Sequence, residues 1–125
     1  MLPQTSSFLH ADNLVGDTSS LSDARLKNEI DYVSGTQALD VLGQIRGCTY
    51  ERLDLQQRRL GLIADEVEEG IQQLAIDNVI GSKWHSGEEY KTLDYSRLVA
   101  LLIPAVNHLS QQVKDLQSKL NNGQP

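Results

Sequence analysis

The last third of the chain constrains its fold most. Val99, Val106, Val113 and Leu120 fall seven residues apart, and Leu102, Leu109 and Leu116 each sit three residues after one of the first three. Alternating steps of three and four put all seven on one narrow stripe of a helix, the seam along which helices coil around each other. Asp94 stands where it can cap such a helix, which then runs to about Leu120. From Asn107 onward the other faces carry His, Ser, Gln, Lys and Asp. Only the stripe is apolar there, so a coiled coil is a better reading than a helix lying across a globular core. Between Leu98 and Val106, the extra apolar residues Leu101 and Ile103 allow that second role as well. Pro104 lies off the seam and is expected to kink or loosen the helix. Valine at one seam position and leucine at the other favour two strands, a soft rule that the rest of the domain can override.

What precedes the helix is too short to be self-sufficient. The whole chain has 125 residues, one small domain, and only 5% are aromatic, with a single Phe and a single Trp. So small and aliphatic a core is marginal alone, and oligomerisation is the simplest remedy. The net charge is -6, from 17 Asp and Glu against 11 Lys and Arg. That disfavours nucleic acid as a partner, because phosphate binding needs a clustered basic face. No apolar run approaches the ~18 residues of a membrane span, so no membrane partner is expected. Met1 is not followed by a signal segment, and its neighbours read like the middle of a longer protein. The one cysteine, Cys48, has no partner for an internal disulfide and reads as a small packing residue.

Residues 1–21 carry no Lys or Arg and are rich in Ser, Thr, Asp, Asn and Gly. They read as a linker or the end of a preceding domain. At Ser22 charges become dense and apolar spacing regular. Thr36 to Arg46 predicts a helix with Ala38, Leu39, Val41, Leu42 and Ile45 on one face and Gly47 to stop it. Cys48 to Leu53 and Arg59 to Ala64 predict strands, joined through the polar DLQQ as a hairpin. Asp65 to Glu69 predicts a brief acidic helix closed by Gly70. Leu74 to Ile80 and Glu89 to Leu93 are further strand candidates. They flank GSKWHSG, residues 81–87, a glycine-bracketed turn or exposed finger. The expected class is α+β: a small mixed head over 22–97, a long helix over 98–120 and a disordered tail over 121–125.

Enzyme signatures are scarce. There is no phosphate loop, HExxH, zinc spacing or GxSxG, and no metal or cofactor is implied. His10, His85 and His108 are scattered and read as surface residues. The carboxylates Asp65, Glu66, Glu68 and Glu69 could tune a neighbouring amine or bind a cation, but a solvated helix face is the better reading. There remains LSDARLKNEI, residues 21–30, where Ser22 lies five positions before Lys27. A serine hydroxyl needs a base to become a nucleophile. An ordinary lysine ionises near ~10.4 and a working base near about 7 to 8, a difference worth about 4 kcal/mol against the charged form. By spacing alone, a helix cap and a surface charge explain the two residues as well.

The motif as a whole is more specific. SDARLKNEI, then ALDVLGQI, the strand at Tyr50, GLIADEVEE and YKTLDYSRLVALLIPAVNHL follow in order, with the heptad helix last. The set resembles the C-terminal intramolecular chaperone domain of bacteriophage tail spikes and fibres, the endosialidase type, over residues 22 to about 120. The chain departs from that pattern at Asp65, where Gln is frequent, and at Ile71, Gln72 and Gln73, where a Phe-Pro-Glu-like run is usual.

The resemblance implies a homotrimer whose long helices form a trimeric coiled coil along Val99, Leu102, Val106, Leu109, Val113, Leu116 and Leu120. Its folding client would be the preceding fibre or spike domain of the same polypeptide. It also implies autocatalytic release by a single-turnover serine endopeptidase, with Ser22 and Lys27 as the catalytic dyad and Leu21–Ser22 as the scissile bond. Asp23 and Arg25 would support it, one orienting the loop and the other pressing on the lysine by like charge. The exposed finger at Trp84 and His85 is a possible fibre contact. Assembly would take place in the host cytoplasm, the mature fibre ending in the virion tail and the chaperone being released. The rival is a trimerisation or adaptor domain that never cuts; a coiled-coil scaffold or transcription factor is disfavoured by the acidic charge.

Overall fold

The computed structural model describes residues 21–123. Residues 1–20 of the expected 1–21 linker, His10 among them, and the last two residues of the tail lie outside the described residues. The chain divides after Asp31 into two compact units. In the first, the described part holds one 3-10 turn, Ala24–Leu26.

The second unit opens with helix α1, Gly35–Leu42, capped by Ser34, whose Oγ accepts from the Gln37 amide at 3.1 Å. Ala38 and Val41 are fully buried, and Leu39, Leu42 and Ile45 pack around them, so the expected apolar face is the core face. The helix stops short of the expected Arg46. The amides of Gln44 and Ile45 reach back only three residues, to Val41 and Leu42, which tightens and ends the last turn. Gly47 therefore lies beyond the helix end.

Strands β1, Cys48–Arg52, and β2, Gln57–Gly61, pair antiparallel, Cys48 opposite Gly61 and Arg52 opposite Gln57. The hairpin is as expected, but its second strand begins and ends earlier, because the four-residue turn occupies Leu53–Gln56 with Gln56 left-handed at φ 52. Gly61 faces two tyrosines: a Cβ there would come within 2.5 Å of the Tyr95 hydroxyl and 3.3 Å of the Tyr50 ring. That hydroxyl accepts from the Leu62 amide at 2.9 Å, tying the end of β2 to the foot of the last helix.

Helix α2, Ala64–Ile71, is longer than expected and runs through Gly70. Gly70 is a buried position inside the helix, not a stop, and faces α1: a Cβ there would make ordinary contacts, 3.4 Å from the Val41 carbonyl and 3.5 Å from Ile45. Asp65 and Glu66 stand in its first turn, where negative charge suits the helix dipole.

The expected strand over Leu74 to Ile80 is absent. A 3-10 turn, Gln72–Leu74, ends at Ala75 in the left-handed region, φ 50, and the chain bends on to Val79. Apolar residues at 74, 76 and 80 mimic a period of two, yet Ile76 is exposed while Val79 joins the core. The second hairpin is β3, Ile80–His85, with β4, Glu88–Leu93. Ser86 and Gly87 form its two-residue turn with φ 53 and 84, both positive as the right-handed twist of the strands requires. Most of GSKWHSG is thus strand, and only its end is turn.

Asp94 caps the final segment as expected, accepting from the Ser96 amide and hydroxyl. A 3-10 turn, Tyr95–Leu98, leads into helix α3, Val99–Asn122, 24 residues long and unbroken at Pro104. The proline removes the donor to the Ala100 carbonyl, and Ala100 is exposed, where water can serve that oxygen. The class is α+β: short antiparallel hairpins and helices, then one long helix. The core is small and wholly aliphatic: Ala38, Val41, Val67, Ile71, Val79, Leu98, Leu101 and Ala105. On α3, only Leu101 and Ala105 are buried. Gly35 lets α1 start directly against His108 of α3, whose side chain any Cβ would overlap.

Candidate functional site

Ser22 and Lys27 meet. The Lys27 Nζ donates to the Ser22 Oγ at 2.8 Å. The geometry arises locally. Asp23 caps the 3-10 turn, its Oδ1 accepting from the Arg25 amide at 2.8 Å. The turn then closes through Leu26 N to the Asp23 carbonyl, 3.0 Å, and Lys27 N to the Ala24 carbonyl, 3.1 Å. This brings the lysine back over the serine. The Arg25 guanidinium grips Asp23 through Nε at 3.1 Å and Nη2 at 2.9 Å. That grip, with the amide bond added, holds the Asp23 carboxyl below the usual carboxylate range, and Asp23 raises Arg25 in turn. Leu21, Ser22 and Lys27 are all exposed.

The seam residues Val99, Leu102, Val106, Leu109, Val113, Leu116 and Leu120 are each between 47% and 62% exposed. The core uses a different face of α3, through Leu101 and Ala105, and leaves an apolar stripe bare along the whole helix. Leu101 has the core role expected of it, whereas Ile103 remains exposed.

Trp84 and His85 are adjacent on β3 and so lie on opposite faces of the hairpin. Trp84 is 69% exposed, while His85 is 3.1 Å from the Asp54 carboxylate and edge-on to Tyr90. Of the two, Trp84 is the freer to touch a partner. A cavity of about 640 Å³ between the hairpins is lined by Leu53, Asp54, His85 and Tyr90 among others, with Arg52 holding Asp54. The carboxylates of α2 are not simply a solvated face: they meet cations that sequence reasoning did not name, Lys91 of β4 donating to both Asp65 and Glu68, and Arg46 to Glu66. Those two partners raise Lys91 well above an ordinary lysine. The missed signal was a lone lysine in β4, which pairs with α2 only once the hairpin folds back. Among the described residues, no group of His, Cys, Asp and Glu is placed to hold a metal, and no helix is long and apolar enough to cross a membrane.

Residues 22–75 match a family model described as chaperone of endosialidase, whose family name is that of a peptidase. The long tail fiber proteins Gp37 of Enterobacteria phage K3 and of Enterobacteria phage T2 are each 32% identical to the chain over 104 residues. The match covers 79% of this chain but only 8% and 7% of those proteins, so the chain spans less than a tenth of their length. These likenesses point to the same family that the motifs resemble, the family model over residues 22–75 and the tail fiber proteins over 79% of the chain.

Proposed function

We propose that this domain trimerises, guides the folding of a fibre or spike domain carried on the same polypeptide, and then frees itself by cutting Leu21–Ser22. The observation that carries the cleavage reading is the 2.8 Å contact between Lys27 Nζ and Ser22 Oγ, in a motif where the family match also begins. In the proposed reaction, a neutral Lys27 takes the hydroxyl proton as Ser22 Oγ attacks the Leu21 carbonyl carbon. The C–N bond breaks, and the proton passes to the departing Ser22 amine. Water then hydrolyses the Leu21 ester, leaving a Leu21 carboxylate and restoring the Ser22 hydroxyl. The chain itself holds nucleophile and carbonyl together, so no bound substrate is needed. Residues 1–21 go with the client, and 22–125 leave as the chaperone.

The bare seam supports the assembly reading. Three helices joined along it gather three client chains and raise their effective concentration without new contacts in the fibre. Long β fibres fold slowly through non-local pairing, and their open edges aggregate while they wait. Cleavage coupled to assembly would release only correctly trimerised fibres. Folding in the host cytoplasm, with the fibre passing to the virion tail, fits this sequence of events, and the exposed Trp84 is a contact offered to the client.

Mass spectrometry of the chain expressed behind its own upstream domain tests the cut. Two species split between Leu21 and Ser22 are expected; a single intact mass in the fully assembled protein favours the non-cleaving adaptor. Sedimentation equilibrium at micromolar concentration should give three times the chain mass. A stable monomer would sink the chaperone reading as well as the trimer.

A further inference from the structure

We infer that Asp23 and Arg25 are positioning residues that build the Ser22–Lys27 pair within one turn of chain, with Asp23 acting as a cap and Arg25 as the grip on Asp23. The inference rests on the cleavage reading above. Among the described residues, every hydrogen bond that shapes the pair lies within residues 22–27. Asp23 uses both carboxylate oxygens: Oδ1 accepts from the Arg25 amide and from Arg25 Nε, and Oδ2 accepts from Arg25 Nη2. The guanidinium fork is thereby committed to Asp23 and its charge compensated on the spot. That leaves little like-charge pressure for Arg25 to exert on the amine of Lys27, and its contribution is geometric. The dyad is then in place in each chain before subunits meet, and what assembly adds is the covering of an existing pair.

The order of importance follows from the contacts. The cap to the backbone amide orients the turn, and a neutral side chain with an oxygen in the same place serves it nearly as well. The ion pair only steadies the cap, being exposed to solvent on both sides.

The rate of the cut, followed against pH in the full fibre-bearing chain with assembly checked by sedimentation, separates geometry from electrostatics. Asp23→Ala should cut roughly 2- to 30-fold more slowly at every pH, the loss that a missing cap gives. Asp23→Asn should recover most of the rate. Arg25→Ala should slow the cut less than Asp23→Ala and leave the midpoint of the pH profile where it is. A midpoint moved to higher pH in Arg25→Ala would overturn the inference, because it would mean that the guanidinium does press on the lysine. Asp23→Asn as slow as Asp23→Ala would overturn it too. Wild-type cutting by Ser22→Ala would instead remove the cleavage reading itself. A second readout needs no cutting: in the Ser22→Ala chain, the Asp23 carboxyl followed by NMR should titrate below the ordinary carboxylate range, and Arg25→Ala should return it towards that range. An ordinary titration with Arg25 present means that the grip does not form and the inference fails.

Discussion

Single residues decide this protein in two places. Ser22→Ala removes the hydroxyl that follows the Leu21 carbonyl, and Lys27→Ala removes the amine in contact with that hydroxyl. Each should abolish the cut while the trimer still forms, because alanine suits the end of a turn and neither side chain is buried. A denaturing gel over time, beside native sizing, checks this; cutting at the wild-type rate by Lys27→Ala would remove the lysine from the mechanism. The second place is Gly61. Its Cα lies against the Tyr95 hydroxyl, and an added Cβ would sit 2.5 Å from that oxygen. Gly61→Ala must push Tyr95 aside and break its bond to the Leu62 amide, at a cost of about 1–3 kcal/mol. Adding Tyr95→Phe should return part of the loss by clearing the oxygen. A thermal melt of the three chains tests the pair, and a melt unchanged by Gly61→Ala would mean that Tyr95 is not held there.

At the scale of elements, α3 serves two masters on two faces. Leu101 and Ala105 belong to the core, while the seam is open to solvent. Leu109→Lys places a charge in the middle of the seam without touching the core face. It removes the roughly 1.5–3 kcal/mol that burying a leucine contributes in each chain and adds a buried charge besides. The expected result is a monomer or a loose mixture by sedimentation, with helix content by circular dichroism falling mainly in the distal turns. A full trimer would mean that the helices do not meet along this stripe. The two hairpins are held differently: β1–β2 by Tyr95 at its end, and β3–β4 by Lys91 on the carboxylates of α2.

For the whole molecule, a small aliphatic core makes surface charge pairs count. Asp54, Glu66 and Asp94 are held below the ordinary carboxylate range, chiefly by the side chains of Arg52, Arg46 and Ser96 respectively. A carboxylate lowered in the folded state lends stability that is fully present above its unfolded value near ~4 and is lost as pH falls through the folded value. Lys91 is raised, so its contribution persists until pH climbs past ~10.4, where the unfolded lysine loses its proton. The melting temperature should therefore be level between about pH 5 and 9 and fall below about pH 4. An unchanged midpoint at pH 3 would mean that these pairs are not formed in solution. Asp54, Asp94 and Lys91 are solvent-exposed and Glu66 is half-buried, so the fall should also shrink in high salt.

The sequence by itself determined what is periodic or local. The heptad stripe, the Asp94 cap, the apolar face of α1 and the first hairpin all follow from spacing and turn chemistry. Even the Ser22–Lys27 contact is local, since one capped turn spans it. Tertiary structure decided what depends on who lies opposite. Gly70 looked like a stop, yet the helix runs on through it to Ile71, because burial of Val67 and Ile71 against the core holds the last turn in place. Residues 74–80 had a strand's alternation, but two-residue periodicity fixes a strand only where a partner takes the hydrogen bonds, and Ala75 turns the chain away from one. The carboxylates of α2 looked like a solvated face until Lys91 and Arg46 came within reach. Trp84 and His85, neighbours in sequence, part company because a strand sends successive side chains to opposite faces. On α3, spacing marked the heptad stripe; only packing against α1 showed that Leu101 is spent inside while Ile103 stays exposed.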